Sequence, residues 1–405
     1  MSGPVGPWQR FWALPVAARK IILAAALSKF AAYLVWPFLA VILTQRFGFE
    51  IATVGLILSA ALLVTILGAP VGGYIADRYR RDRLLPVALA IVAAAYAVMG
   101  TFDVALAYIS SIIMISIANC LIEPTLRALL GEQVTSAEER AFAFHLRYYI
   151  VNLAVSAGPL AGVVFIQRQS DLGFLLAGAC YVLLVILLHD ILRKARAARD
   201  ARTSPSVDVG QVLRALATSR MFLIVLALNL ALVFCYAQSE DTLVFQMIAI
   251  RMQEIEWSIA ILMLTNTCTV LGLHLIAMEW LTKLQMGAAF VIGCLFMAAG
   301  LLIIALNGHG NLAVMMVAMV LVTIAEFVVM PMITVLVDEM APPDMRSSFF
   351  GVAMLPGLGA AAAPFLGALG ITAMGGMMFY AMIAALCLPI GLAGFALSRG
   401  RGGTS

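Results

Sequence analysis

Twelve long apolar runs, cut by short polar breaks, leave this chain one environment in which to fold. They lie near residues 19–45, 51–76, 84–102, 105–131, 140–166, 172–192, 221–250, 255–280, 285–306, 312–339, 347–371 and 376–398. About 20 helical residues cross a hydrocarbon core about 30 Å thick, which is the length of these runs. In lipid the backbone N–H and C=O groups must be paired within the segment, so the runs read as helices. Across 405 residues 63% are apolar and 11% charged, against about 45–50% and about 25% in soluble chains. No large soluble domain remains to be anchored, which excludes a single-pass receptor or a tail-anchored enzyme. The first run is longer than a signal-peptide core and carries Lys29, so it reads as a mature span.

A formal net charge of +4 gives no reason to expect nucleic acid, and the information lies in where the basic residues sit. Arg10, Arg19 and Lys20 precede span 1; Arg78, Arg80, Arg81 and Arg83 join spans 2 and 3; Arg193, Lys194, Arg196, Arg199 and Arg202 follow span 6; Arg399 and Arg401 end the chain. The alternate loops keep Arg46, Arg168 and Arg251. The positive-inside rule therefore predicts cytoplasmic termini, in a multi-pass protein of a bacterial inner (plasma) membrane. The longest polar stretch, 193–220, reads as a cytoplasmic linker between six-helix bundles at 1–192 and 221–405. Two internal echoes support that division. Ile117–Pro124 resembles Ile324–Pro331 at a spacing of 207, and Ala157–Gly162 resembles Ala362–Gly367 at 205, as two parallel repeats require. The six cysteines stand singly in apolar runs, a pattern of packing thiols rather than of disulfides or a zinc site. No cofactor is expected, and the chain reads as a monomer in contact with lipid.

At the end of span 2 the sequence is Gly73-Tyr-Ile-Ala-Asp77-Arg78-Tyr-Arg-Arg81-Asp-Arg83. This resembles the G-x-x-x-D-R-x-x-R loop of the major facilitator superfamily, and the resemblance implies twelve transmembrane helices in two six-helix repeats around a central cavity. It also implies that Gly73, Asp77, Arg78 and Arg81 gate conformation, with Asp77 against the start of span 11 near Arg346-Ser347-Ser348. On span 5, Gly158-Pro159-Leu-Ala-Gly162 resembles the G-P-x-x-G core of the superfamily's drug:proton exporters. Small residues there let helices pack closely, and Pro159 adds a bend. Thr323-x-x-Glu326 followed by Pro331, and Gln238-Ser239-Glu240, resemble acid motifs of proton-coupled multidrug exporters of the LmrP and MdtH type. On span 5 those exporters read L-D-Y-W-x-x-N where this chain has Leu146-Arg147-Tyr148-Tyr149-Ile150-Val151-Asn152. An acid has become Arg147.

A charge near the bilayer centre costs about 2.5–3.5 kcal/mol on insertion scales, so each is a functional candidate unless it pairs or snorkels. The candidates are Lys29, Glu123, His145, Arg147, Glu240, Asp241, His274, Glu326 and Asp338. The family fold implies that helices 1, 4, 7 and 10 line the cavity, and all four carry an ion here. Thr323, Glu326, Met330, Thr334 and Asp338 recur at helical spacing on one face. Glu326 has apolar sequence neighbours, which suits an acid that alternates between protonated and charged forms; pairing with Lys29 or Arg147 is the alternative. Glu123 either serves the cavity or is neutralised by Arg127 four residues on, with Asn119 one turn before. Asn229, Tyr236 and Glu240 form a stripe that favours Glu240 over Asp241 as the cavity acid. Lys29 with Tyr33 and Trp36 offers a cation and aromatic rings, for a ligand or for packing. His145 and His274 read as satisfied polar groups, and the many methionines of the second half as filler or as a soft cavity wall.

The expected function is secondary transport: proton-coupled export of an amphipathic, cationic small molecule. Glu326, Glu123 and Asp338 are the candidate proton-coupling acids. Glu240, Asp241, Lys29, Tyr33, Trp36, Asn119, Arg147, Tyr148, Asn152, Thr323 and Met330 are the candidate substrate contacts. The alternative cargo is an anionic or zwitterionic metabolite, such as a siderophore or lysolipid, anchored by Lys29 and Arg147. No phosphate-binding G-x-x-x-x-G-K-[ST] argues for ATP drive, and no H-E-x-x-H, G-x-S-x-G or repeated filter sequence argues for an enzyme or a channel.

Overall fold

The computed structural model describes residues 11–78, 81–134, 136–168, 170–199, 220–277, 284–340 and 352–401. Among them are twelve helices long and apolar enough to cross a membrane. They are α1 (Val16–Gln45), α2 (Ile51–Arg78), α3 (Arg81–Met99), α4 (Ala105–Glu132), α5 (Ala137–Gln167), α6 (Leu172–Arg199), α7 (Arg220–Ala249), α8 (Ile255–Ile276), α9 (Met286–Leu306), α10 (Leu312–Met340), α11 (Gly357–Met374) and α12 (Gly376–Arg401). The boundaries follow the apolar runs, with one main correction. Span 11 was expected from residue 347, whereas α11 begins at Gly357: Ala353–Pro356 form turns, and Pro356 stands at the N-cap. Residues 341–351, including Arg346-Ser347-Ser348, and linker residues 200–219 lie outside the described residues.

Two spans expected to be continuous are broken. In α1 the helix stops at Tyr33 and resumes at Leu39 through a 3₁₀ turn, Trp36–Phe38. Pro37 explains this, because it lacks an N–H and its ring would meet the carbonyl four residues back, that of Tyr33. In α7 the helix stops at Ala237 and resumes at Asp241 without any proline or glycine. The polar run Gln238-Ser239-Glu240 closes turns to the residue three back, from Gln238 N to Cys235 O at 3.3 Å, Ser239 N to Tyr236 O at 2.9 Å and Glu240 N to Ala237 O at 3.3 Å. Freed backbone groups are satisfied locally, as burial demands. Tyr380 of α12 donates to the Gln238 carbonyl at 2.9 Å, and Ser239 Oγ donates to Tyr236 O at 2.7 Å.

The packing repeats between the halves of the sequence. In the first half α1 packs on α4, α5 and α6, and α3 packs on α4 and α6; in the second α7 packs on α10, α11 and α12, and α9 packs on α10 and α12. Leu34 and Ser239, each at a break, are 205 positions apart, the spacing of the sequence echo. Close approach is carried by small residues on both sides. A Cβ on Gly162 of α5 would lie 2.3 Å from the Leu34 carbonyl, and one on Gly359 of α11 would lie 2.4 Å from the Leu230 carbonyl of α7.

Contacts divide the chain into two compact units, 1–39 with 67–204, and 40–66 with 205–405. The first unit has its core around Tyr108, Tyr181, Ile21, Ile22 and Leu85, with Ser28 Oγ and Tyr181 Oη 3.3 Å apart. In the second, the opening turns of α2 lie on α11. Ser59 Oγ accepts the Phe365 N–H at 2.9 Å, next to Pro364, and Gly55 leaves room for the Pro364 carbonyl.

Candidate functional site

Within the second unit, polar side chains gather where α7 breaks. Tyr236, in the last turn before the break, donates its hydroxyl to Glu240 Oε1 at 2.9 Å. Asn266 of α8 directs Nδ2 at the Tyr236 oxygen at 3.4 Å and at Thr323 Oγ1 of α10 at 3.0 Å, while Thr323 donates to the Met319 carbonyl at 2.7 Å. Glu326 follows Thr323 by three residues on the same helix. It lies within electrostatic reach of both Glu240 and the Tyr236 hydroxyl. Neither Glu240 nor Glu326 is ion-paired to a basic side chain among the described residues. Two carboxylates at close range repel, and a proton or a cation relieves the repulsion. The cluster therefore holds the chemistry to take either.

Within the first unit the balance of charge is the opposite. Glu123 of α4 accepts from Arg127 Nε at 2.8 Å, four residues along its own helix, and from Arg147 Nη2 of α5. Lys29 of α1 lies within electrostatic reach of the same carboxylate. Arg147 is buried and its Nε has no hydrogen-bond partner among the described residues. One acid thus faces three bases, with a buried donor to spare. Arg147 is bonded to Glu123 within this unit.

The remaining candidates are placed as follows. Lys29 and Tyr33 share the first segment of α1, whereas Trp36 stands beyond its end in the 3₁₀ turn, so the expected helical stripe stops at Tyr33. Asn119 is half-buried on α4. Tyr148 is exposed, and Asn152 Nδ2 is bonded to its carbonyl at 2.8 Å. Met330 is half-buried one turn after Glu326, and Asp241 opens the second segment of α7. Gly158 and Gly162 of α5 form a seam on α1, with Gly158 against Phe30 and Tyr33 and Gly162 against Leu34 and Phe38, and Pro159 stands within α5. Gly73, Asp77 and Arg78 have helical backbone at the end of α2, Arg81 opens α3 and Asp338 lies on α10; their side chains lie outside the described residues. His274 is a satisfied packing group, with Nδ1 2.9 Å from the Val270 carbonyl and its ring edge-on to Phe327. Asn266 was missed by the sequence reading, although a lone amide in the apolar run of span 8 was a visible signal.

Comparison with known proteins agrees with this architecture. The Major Facilitator Superfamily profile matches residues 21–364. The MFS-type transporter YqjV of Bacillus subtilis (strain 168) is 26% identical over 88% of this chain and 86% of its own length. A Na(+), Li(+), K(+)/H(+) antiporter of Planococcus maritimus is 26% identical over 80% of this chain and 82% of its own. Among solved structures, a POT family transporter in complex with 5-aminolevulinic acid superposes with a TM-score of 0.78 at 17% identity, covering 97% of this chain and 99% of that one. That last likeness concerns the fold. With the family profile spanning most of a chain of twelve apolar helices, the protein is a transporter and not an enzyme, and it belongs to the Major Facilitator Superfamily.

Proposed function

We propose that this transporter exchanges protons for cationic, amphipathic small molecules and exports them by alternating access. The observation that carries the reading is the acid pair Glu240 and Glu326, joined through Tyr236 and without a cationic partner among the described residues. An acid within a membrane span that no basic side chain neutralises is costly, and the cost is recovered when a proton or a cargo cation occupies it. Glu326 is assigned to proton coupling, and Glu240 to the cargo charge. The name of the Planococcus maritimus relative, an antiporter of monovalent cations against protons, supports the ion exchange. In this reading the protein is a monomer of a bacterial inner membrane. Both termini and the 193–220 linker are cytoplasmic, and the bundles 1–192 and 221–405 rock under the control of Asp77 and its arginines.

The test is transport in proteoliposomes with an acidic interior, supplied externally with ethidium or, separately, with Na⁺, Li⁺ or K⁺. Ethidium should accumulate while the gradient lasts and be lost when the gradient is collapsed. Accumulation of the metal ions alone would replace the organic cargo by an inorganic one, and no gradient-driven movement of any of the four would overturn the reading. A second reading, transport of a zwitterionic or anionic metabolite, is favoured by the excess of base around Glu123 and the unused Arg147 Nε. An anionic amphiphile such as a lysolipid, run in the same vesicles, separates the two.

A further inference from the structure

The Tyr236 hydroxyl carries one hydrogen and accepts through its oxygen. Its hydrogen goes to Glu240, and Asn266 Nδ2 approaches the oxygen. What remains toward Glu326 is acceptor capacity, which only a protonated Glu326 can use. If Glu326 is ionised instead, the hydroxyl hydrogen must swing to it, and Glu240 is left to hold a proton or a cation of its own. The hydroxyl is a rotor with two settings, and each setting suits one charged and one uncharged or occupied carboxylate. Asn266 fixes where the rotor stands, because it is itself bonded to Thr323 on the helix that carries Glu326. Hydrogen bonds in such a chain polarise one another, so a change at one end is felt at the other.

We propose that Tyr236, held by Asn266, is the positioning residue that makes Glu240 and Glu326 act as one site, which takes either one proton or one cationic cargo. The proposal rests on the proton-for-cation reading above. The elements around this part of α7 carry few other titratable groups among the described residues. α11 carries none over Gly357–Met374. On α12, Tyr380 faces the Gln238 carbonyl and Cys387 faces Cys235. On α8, His274 is engaged with Val270. Asp241 adjoins Glu240 at the start of the second α7 segment, and on α10 Asp338 lies three turns beyond Glu326.

The test counts protons. Tetraphenylphosphonium is added to the purified full-length protein in weakly buffered detergent with a pH indicator, and its Kd is measured across pH. A single shared site releases about one proton per cation bound over the range where the pair is singly protonated, with Kd changing about tenfold per pH unit. For Tyr236→Phe, which keeps the ring and removes the rotor, release should fall below about half a proton and the pH slope below about threefold per unit. Asn266→Leu should move both quantities in the same direction by less, and it decides the matter if Tyr236→Phe does not bind the probe. Wild-type stoichiometry and slope in both variants would overturn the role of Tyr236 while leaving proton-for-cation exchange intact. Binding to the wild type without any proton release would overturn both.

Discussion

Replacing Glu123 by glutamine is expected to destabilise the protein far more than removing Arg127, the bonded arginine on its own helix. Glu123 holds Arg127 in an i,i+4 pair in which Arg127 keeps 55% of its side chain exposed. Such pairs contribute about 0.3–0.5 kcal/mol, so Arg127→Gln should cost no more than about 0.5 kcal/mol. Arg147 is buried, at 7% exposure, and it loses its counter-charge altogether when Glu123 is neutralised. Breaking a buried pair from one side costs about 3–5 kcal/mol. Glu123 itself is 30% exposed, and solvent screening brings the expected cost to about 2–3 kcal/mol. At about 2–4 °C per kcal/mol for a bundle of this size, Tm should fall by about 4–12 °C for Glu123→Gln and by no more than about 2 °C for Arg127→Gln. Unfolding of the detergent-solubilised protein can be followed with a thiol-reactive dye, because five of the six cysteines are buried. The double variant Glu123→Gln/Arg147→Gln should recover part of the loss, since neither charge is then left alone. Equal shifts for the two single variants, or a double variant no more stable than Glu123→Gln alone, would refute the claim that Arg147 depends on Glu123.

Gly162→Ala places a methyl 2.3 Å from the Leu34 carbonyl and should cost about 1–3 kcal/mol in thermal unfolding. Gly131→Ala, whose new carbon meets only the Phe144 ring at 3.9 Å, should be close to neutral. Tyr380→Phe removes the donor to the Gln238 carbonyl and should cost about 1 kcal/mol, with faster amide hydrogen exchange confined to the α7 break. Cysteine introduced at Ser204 should resist a membrane-impermeant maleimide in intact cells, whereas Asn311→Cys should react; the opposite pattern inverts the topology.

Helix boundaries were legible because insertion into lipid depends on runs of apolar side chains, which sequence displays directly. The duplication was legible too, through spacings of 207 and 205, and the packing pairs repeat between the halves. The breaks were not read. Pro37 in span 1 was a visible cause, but Gln238-Ser239-Glu240 contains no residue that forbids a helix. There the freed Gln238 carbonyl is satisfied by Tyr380 of α12, a partner distant in sequence. The i,i+4 contacts Glu123–Arg127 and Tyr236–Glu240 followed from periodicity. Arg147 reaching Glu123 and Asn266 reaching Tyr236 link residues 24 and 30 positions apart on different helices, and no local pattern encodes such meetings.

In the proposed mechanism protons drive transport through the acids of the second half, Glu326 first among them. The direct measurement is gradient-driven ethidium accumulation in proteoliposomes for Glu326→Gln and Glu123→Gln, beside equilibrium ligand binding for both. Glutamine at 326 mimics a permanently protonated acid, so that variant should still bind and exchange ligand but should not accumulate it. Glu123→Gln, assayed below its unfolding temperature, should retain accumulation. Accumulation by Glu326→Gln together with its loss in Glu123→Gln would remove Glu326 from the mechanism and move the coupling acid to α4.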